Sequence, residues 1–283
     1  MRISAEELID FAVPDAVQTM RAKDMILYAL STGYGAEPCD AAHLRHIYEE
    51  KLVAVPTVAN VTAHHGSWMK TAGVDWDSVV HAEQRLTVHH PIPVDVPLVS
   101  KVRCLSVVDR GAGKGMFATF KRTIRRHDDG TPLATIVQTN ACRGDGGCGT
   151  AGIPPDPLPP PPERPADVVL RIDLPVDAAA LYRLNGDLNP LHIDPASAAR
   201  AGFDRPILHG LCTFGYAGYA LGKALAVAGL RDIASIAARF SAPVFPGEPI
   251  DVHIWQDGDE ARFRVIVPSR GTIVLDRGTA TLT

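Results

Sequence analysis

The stretch that decides the reading is "LYRLNGDLNPLHID", residues 181 to 194. It sets Asp187, Asn189 and His192 within one short span, broken by Gly186 and Pro190. Asp, Asn, Gly and Pro are residues that any surface turn prefers, each for its own backbone reason. A polar turn between two short helices therefore accounts for the composition. The same residues also form an acid–base pair, because an Asp can orient and polarise a His, or both can bind one water. Asp194 stands apart. It precedes "PASAARAG" and reads as a helix N-cap, with Pro195 at the first helical position and Gly202 at the stop.

Eighteen residues beyond His192 lies Gly210, in "RPILHGLCTFG". It opens "GLCTFGYAGYALGKALA" (210–226), where Leu211, Phe214, Gly218, Leu221 and Leu225 keep a helical period. Gly215, Ala217, Gly218 and Ala220 leave little bulk, as a helix pressed closely against a sheet needs. An N–H at the first turn of such a helix has no intrahelical partner and stabilises an oxygen gaining negative charge. A glycine that merely eases helix entry is the plainer reading. His209 reads as a neighbouring polar support or merely a buried, satisfied His, with weak claim to contact substrate.

The rest of the chain repeats this layout. "LYAL" at 27–30 matches "LYRL" at 181–184, and "QRLTVHHPIPVDVPL" (84–98) parallels "ARFSAPVFPGEPI" (238–250). Strand-like runs alternate with turns after each, and "DDG" (128–130) and "DGDE" (257–260) punctuate hairpins. "PTVANVTAHHGSWM" (56–69) is read as the buried helix of the first copy. The proline-rich "GIPPDPLPPPPERP" (152–165) is a stiff connector. The expected organisation is a first half over 1–151, a linker over 152–165 and a second half over 166–283.

Composition narrows the function classes. A chain of 283 residues with 46% hydrophobic and 21% charged residues is an ordinary globular protein. A net charge of −4 without a basic block disfavours nucleic acid and anionic membranes as partners. Five cysteines without a CxxC argue against a disulfide framework or zinc knuckle, and favour reduced thiols. The first residues, "MRISAEELIDFAVPD", carry no apolar signal core, so a cytoplasmic location is expected. "GAGKG" (111–115) lacks the ending and context of a phosphate loop and reads as a hairpin turn. The adjacent pairs His64–His65 and His89–His90 do not converge on one ion, and no metal site is expected.

"GDLNPLHID" with Gly210 in "PILHGLCTFG" resembles the hydratase 2 motif of MaoC-like (R)-specific enoyl-CoA hydratases. "VHAEQRLTVHHPIP" (80–93) and "GDGGCG" (144–149) are similar to segments of that family's non-catalytic half, with Ala82 where the family usually has Gly. The resemblance covers almost the whole chain. It implies an α+β double hotdog fold, two antiparallel sheets each wrapped around a long central helix. It implies a catalytic dyad of Asp187 and His192, assistance from Asn189, and an oxyanion donor at the Gly210 N–H. It also implies an acyl-CoA thioester substrate, no cofactor beyond the CoA that the substrate carries, and a homodimer. The first half has Gly33 and Tyr34 in place of Gly186 and Asp187, with no equivalent His following, so one site per chain is expected. Two other readings stay open: an acyl-CoA thioesterase and a non-catalytic acyl-CoA-binding module, since fold alone does not fix chemistry.

Overall fold

The structure is a computed structural model and describes residues 3–37, 39–226 and 232–283. The chain forms two compact units that do not follow sequence order. The first comprises Met1–Thr19, Thr62–His90 and Val96–Pro157; the second comprises Met20–Val61, Pro91–Asp95 and Leu158–Thr283. Helices and strands are numbered here along the chain.

In the first unit the strands are β1 (Ala16–Thr19), β2 (Val79–Val88), β3 (Pro97–Asp109), β4 (Met116–Arg126), β5 (Pro132–Cys142) and β6 (Ala151–Gly152). They pair antiparallel in the order β1-β3-β4-β5-β2, with the short β6 also on β3. The "GAGKG" and "DDG" turns close the β3–β4 and β4–β5 hairpins as expected. α1 (Ala5–Asp10), held by a Ser4–Glu7 capping box, lays Ala5 and Leu8 on a core with Val107, Ala118 and Cys142.

The long helix expected over 56–69 does not form. A 3₁₀ turn at Pro56–Asn60 is followed by turns and then by α4, only Trp68–Thr71. Thr57, Val58, Val61 and Thr62 are β-branched and resist helix. Ala63 (φ 46°) and Gly66 (φ 62°) then adopt left-handed conformations that break it. The chain also passes from the second unit to the first between Val61 and Thr62. Among the described residues only the second unit has a long central helix.

That unit pairs β7 (Val168–Asp173), β8 (Ile233–Phe240), β9 (Pro249–Asp257), β10 (Glu260–Val267) and β11 (Thr272–Leu282) antiparallel, in the order β8-β11-β10-β9-β7. Its central helix runs Gly210–Ala224, and every residue from Cys212 to Gly222 is buried. A helix apolar all round must be enclosed on all sides. One side meets the sheet at Ile233 and Phe240. The other meets the early segment 20–61, which contains α2 (Ala22–Leu30) and α3 (Ala41–Ile47). A methyl group at Gly215 would stand 2.4 Å from the Thr32 Cγ2, so only glycine permits this approach. Tyr28 and Tyr182, the tyrosines of the two "LY.L" copies, lie with ring centroids 6.1 Å apart. Asn185 Nδ2 donates to Ser31 Oγ at 3.0 Å, joining the residues that follow each copy. Among the described residues no helix is long and apolar enough to cross a membrane.

Candidate active site

The site is built on turns around the start of the central helix. α5 (Ala178–Tyr182) tightens into a 3₁₀ turn at Arg183–Asn185, which Gly186 ends at φ 111°. No atom crowds Gly186, so its glycine is needed for the backbone angle alone. Asp187 follows, exposed, and its Oδ1 accepts the Asn189 N–H at 3.2 Å. Asn189 caps a second 3₁₀ turn, Pro190–His192, its Oδ1 accepting the Leu191 N–H at 3.0 Å. That leaves the Nδ2 end of Asn189 and one lone pair of its Oδ1 to meet a ligand. Asp194 then caps α6 (Pro195–Arg200) through the N–H groups of Ala196 and Ser197, and Gly202 (φ 84°) follows its end. Asp194 is a structural residue, as its position before Pro195 predicted.

His192 is 9% exposed and its Nδ1 lies 2.9 Å from the Ile207 carbonyl oxygen. A carbonyl oxygen only accepts, so Nδ1 carries the hydrogen and Nε2 keeps its lone pair. His209 caps nothing with its side chain, although it is the residue before the central helix. Its Nε2 lies 3.2 Å from the Asp187 backbone oxygen, and its ring stacks on His192 with centroids 3.7 Å apart. One carboxylate oxygen of Asp187 and one nitrogen of each ring lie within 4.8 Å of one another. Two hydrogen bonds of about 2.8 Å through one water reach across separations up to that size. The trio also has the distances of a cation site, as do Glu37, Asp40 and His43.

Gly210 is the first residue of the helix, so its N–H lacks an intrahelical acceptor. Phe240 closes the space at its Cα, with ring atoms 3.0 Å from where a Cβ would stand. The structure thus brings Asp187, His192, His209 and the helix start together and leaves Asn189 at the exposed rim. Tyr182, Phe240 and Ile207 escaped the sequence reading. Of these only Tyr182 had a signal, its recurrence in both "LY.L" copies. The first copy's counterpart turn keeps the left-handed glycine, Gly33 at φ 99°, but Tyr34 is buried against His43, His46 and Tyr219. An apolar wall stands where the second copy has its acid.

Burial lowers the His192 pKa, opposed by its bond to Ile207 and the charge of Asp187. His46 and His209 are pushed down to about 4, chiefly by burial. Unfolded, each titrates near 6.5. Between about pH 6.5 and 4 the unfolded chain therefore binds more protons, and stability rises with pH. Acidification through that window is expected to remove on the order of 3 kcal/mol per buried imidazole, read as a falling urea midpoint.

Comparison with known proteins matches this geometry to a lineage. Residues 158–277 match the MaoC like domain, and residues 19–144 match the MFE-2 hydratase 2 N-terminal domain. Enoyl-CoA hydratase ChsH3 of Mycobacterium tuberculosis is 32% identical over 98% of both chains. The chain belongs to the MaoC-like hydratase 2 family. A MaoC-like dehydratase from Phytophthora capsici superposes with a TM-score of 0.83 at 28% identity, covering 98% of each chain. A further Mycobacterium tuberculosis protein, described as a double hotdog fold, has a TM-score of 0.59 at 16% identity, covering 96% of this chain and 94% of its own. The family architecture is thus an α+β double hotdog, here with a long central helix described in the second unit alone. Its MaoC-like portion contains Asp187, His192, His209 and Gly210.

Proposed function

We propose that the protein is a hydro-lyase that adds water reversibly across a trans-2-enoyl-CoA, giving a (3R)-3-hydroxyacyl-CoA. The observation that carries this reading is the fixed His192 tautomer, which leaves the lone pair on Nε2 of a ring that clusters with the Asp187 carboxylate. Ionised Asp187 accepts one hydrogen of a water and His192 Nε2 accepts the other. The water oxygen attacks C3, and the electron pair of the C2–C3 double bond moves toward the thioester carbonyl. The Gly210 N–H meets that oxygen as its negative charge grows. His192 returns its proton to C2 on the face from which it came, and atoms balance. In the reverse direction the same groups expel water.

The CoA of the substrate is the one nucleotide this reading calls for, and no step uses a metal or redox group. Asn189 Nδ2, at the rim, assists by hydrogen bonding to substrate or water. A homodimer in the cytoplasm completes the reading. The family resemblance supports the first part and five free thiols the second; sedimentation checks the dimer.

Turnover of C4 to C16 enoyl-CoA substrates, followed by loss of enoyl absorbance with chiral analysis of the product, tests the reaction. The expected result is the (3R) alcohol with no free thiol. Release of CoA would make the protein a thioesterase, and tight binding without turnover a binding module.

A further inference from the structure

His209 has no step in the mechanism above, yet it is only 2% exposed and touches both members of the acid–base pair. Its Nε2 faces the Asp187 carbonyl oxygen at 3.2 Å, which requires the hydrogen on Nε2. Its ring lies under His192, with an interplanar angle of 28°. That leaves the lone pair on Nδ1, buried and without a hydrogen-bond partner. Buried acceptors of this kind are rare and call for an explanation. Behind the ring is Tyr182, centroids 5.0 Å apart, its buried hydroxyl engaged with that of Tyr28.

We propose that His209 is a positioning residue for the acid–base pair: its Nε2–H tethers the Asp187 turn and its ring face carries His192. The inference rests on the hydratase reading and assigns His209 no contact with substrate. A single hydrogen on the ring, as this arrangement needs, agrees with the protonation of His209, held low by burial and then by the charge of His192. The other groups facing this pair are Asp187 and Arg183 on the turn, and Tyr182 on α5. Asp187 favours the charged form of His209, and Arg183 opposes it.

Two substitutions separate the tether from the stack. His209→Phe keeps a ring under His192 and removes the donor; His209→Gln keeps a donor and removes the ring. With His209→Phe, kcat is expected to fall about tenfold, KM to stay within about twofold, and the acid limb of the pH–rate profile to stay in place. With His209→Gln, water reaches His192, whose pKa rises, and the acid limb should move to higher pH by roughly half a unit or more. A merely structural role would lower the melting temperature and the active fraction but leave the acid limb unmoved.

Parent-like kcat and an unmoved acid limb in both His209 variants would overturn the inference. If one His209 variant does not fold, the other decides, a parent-like kcat with an unmoved acid limb counting against the proposal. Retained turnover in His192→Gln would instead overturn the hydratase reading itself, so the two failures are told apart.

Discussion

His192→Gln is expected to hydrate crotonyl-CoA about 10²- to 10⁴-fold more slowly than the parent, the range supplied by a positioned acid–base group. Glutamine can still donate to the Ile207 carbonyl, so the turn keeps its anchor. An amide cannot take a proton from water, so the chemistry is lost. The loss should fall on kcat and kcat/KM alike, because the missing interaction strengthens only as the proton moves. Asp187→Asn should behave similarly, as a neutral amide no longer anchors the water's second hydrogen as an ionic acceptor. The parent profile should fall on its acid side as His192 gains a proton, at a pH below the ordinary histidine value because burial lowers that pKa. Circular dichroism melts near the parent's would confirm that the fold is intact. Near-parent turnover in both variants would sink the dyad.

Gly210→Pro is expected to lose about 10²- to 10³-fold in kcat relative to Gly210→Ala, the usual effect of removing one oxyanion donor. Proline is well suited to the first position of a helix, where its missing N–H breaks no helical bond. The preceding His209 is already extended, φ −59° and ψ 133°, as a residue before proline must be. Both variants bring a Cβ to within 3.0 Å of the Phe240 ring, so that crowding is common to the two. What differs between them is chiefly one N–H. Equal activity in the two variants would show that the thioester oxygen is held elsewhere.

The parts of this protein that could be read from sequence are those settled locally. Asp194 before Pro195, the alternating strands with their Gly-bearing turns, and the small-residue period of 210–226 each follow from neighbours a few positions away. The first-half helix failed for an equally local reason, underweighted against its period: four β-branched residues and Gly66. The rest was out of reach because it depends on residues far apart in the chain. The Ile207 carbonyl that fixes the His192 tautomer is 15 residues away, and Ser31 meets Asn185 across 154. The side-by-side rings of His192 and His209 carry no periodicity that a sequence could display. The motif named the acid and the base, and packing supplies their orientation.

The clasp between the two "LY.L" copies bears on how this chain could be divided. The proline-rich connector is the obvious place to cut, and a fragment beginning there would carry Asp187, His192 and Gly210 complete. It would lack Tyr28, Ser31 and Thr32, so Tyr182 would lose its ring partner, Asn185 its acceptor, and Gly215 the side chain it was kept small to admit. The segment that carries Gly33 and Tyr34 packs as scaffolding on the segment that carries Asp187 and His192, so a cut at the connector strips that packing from the second half.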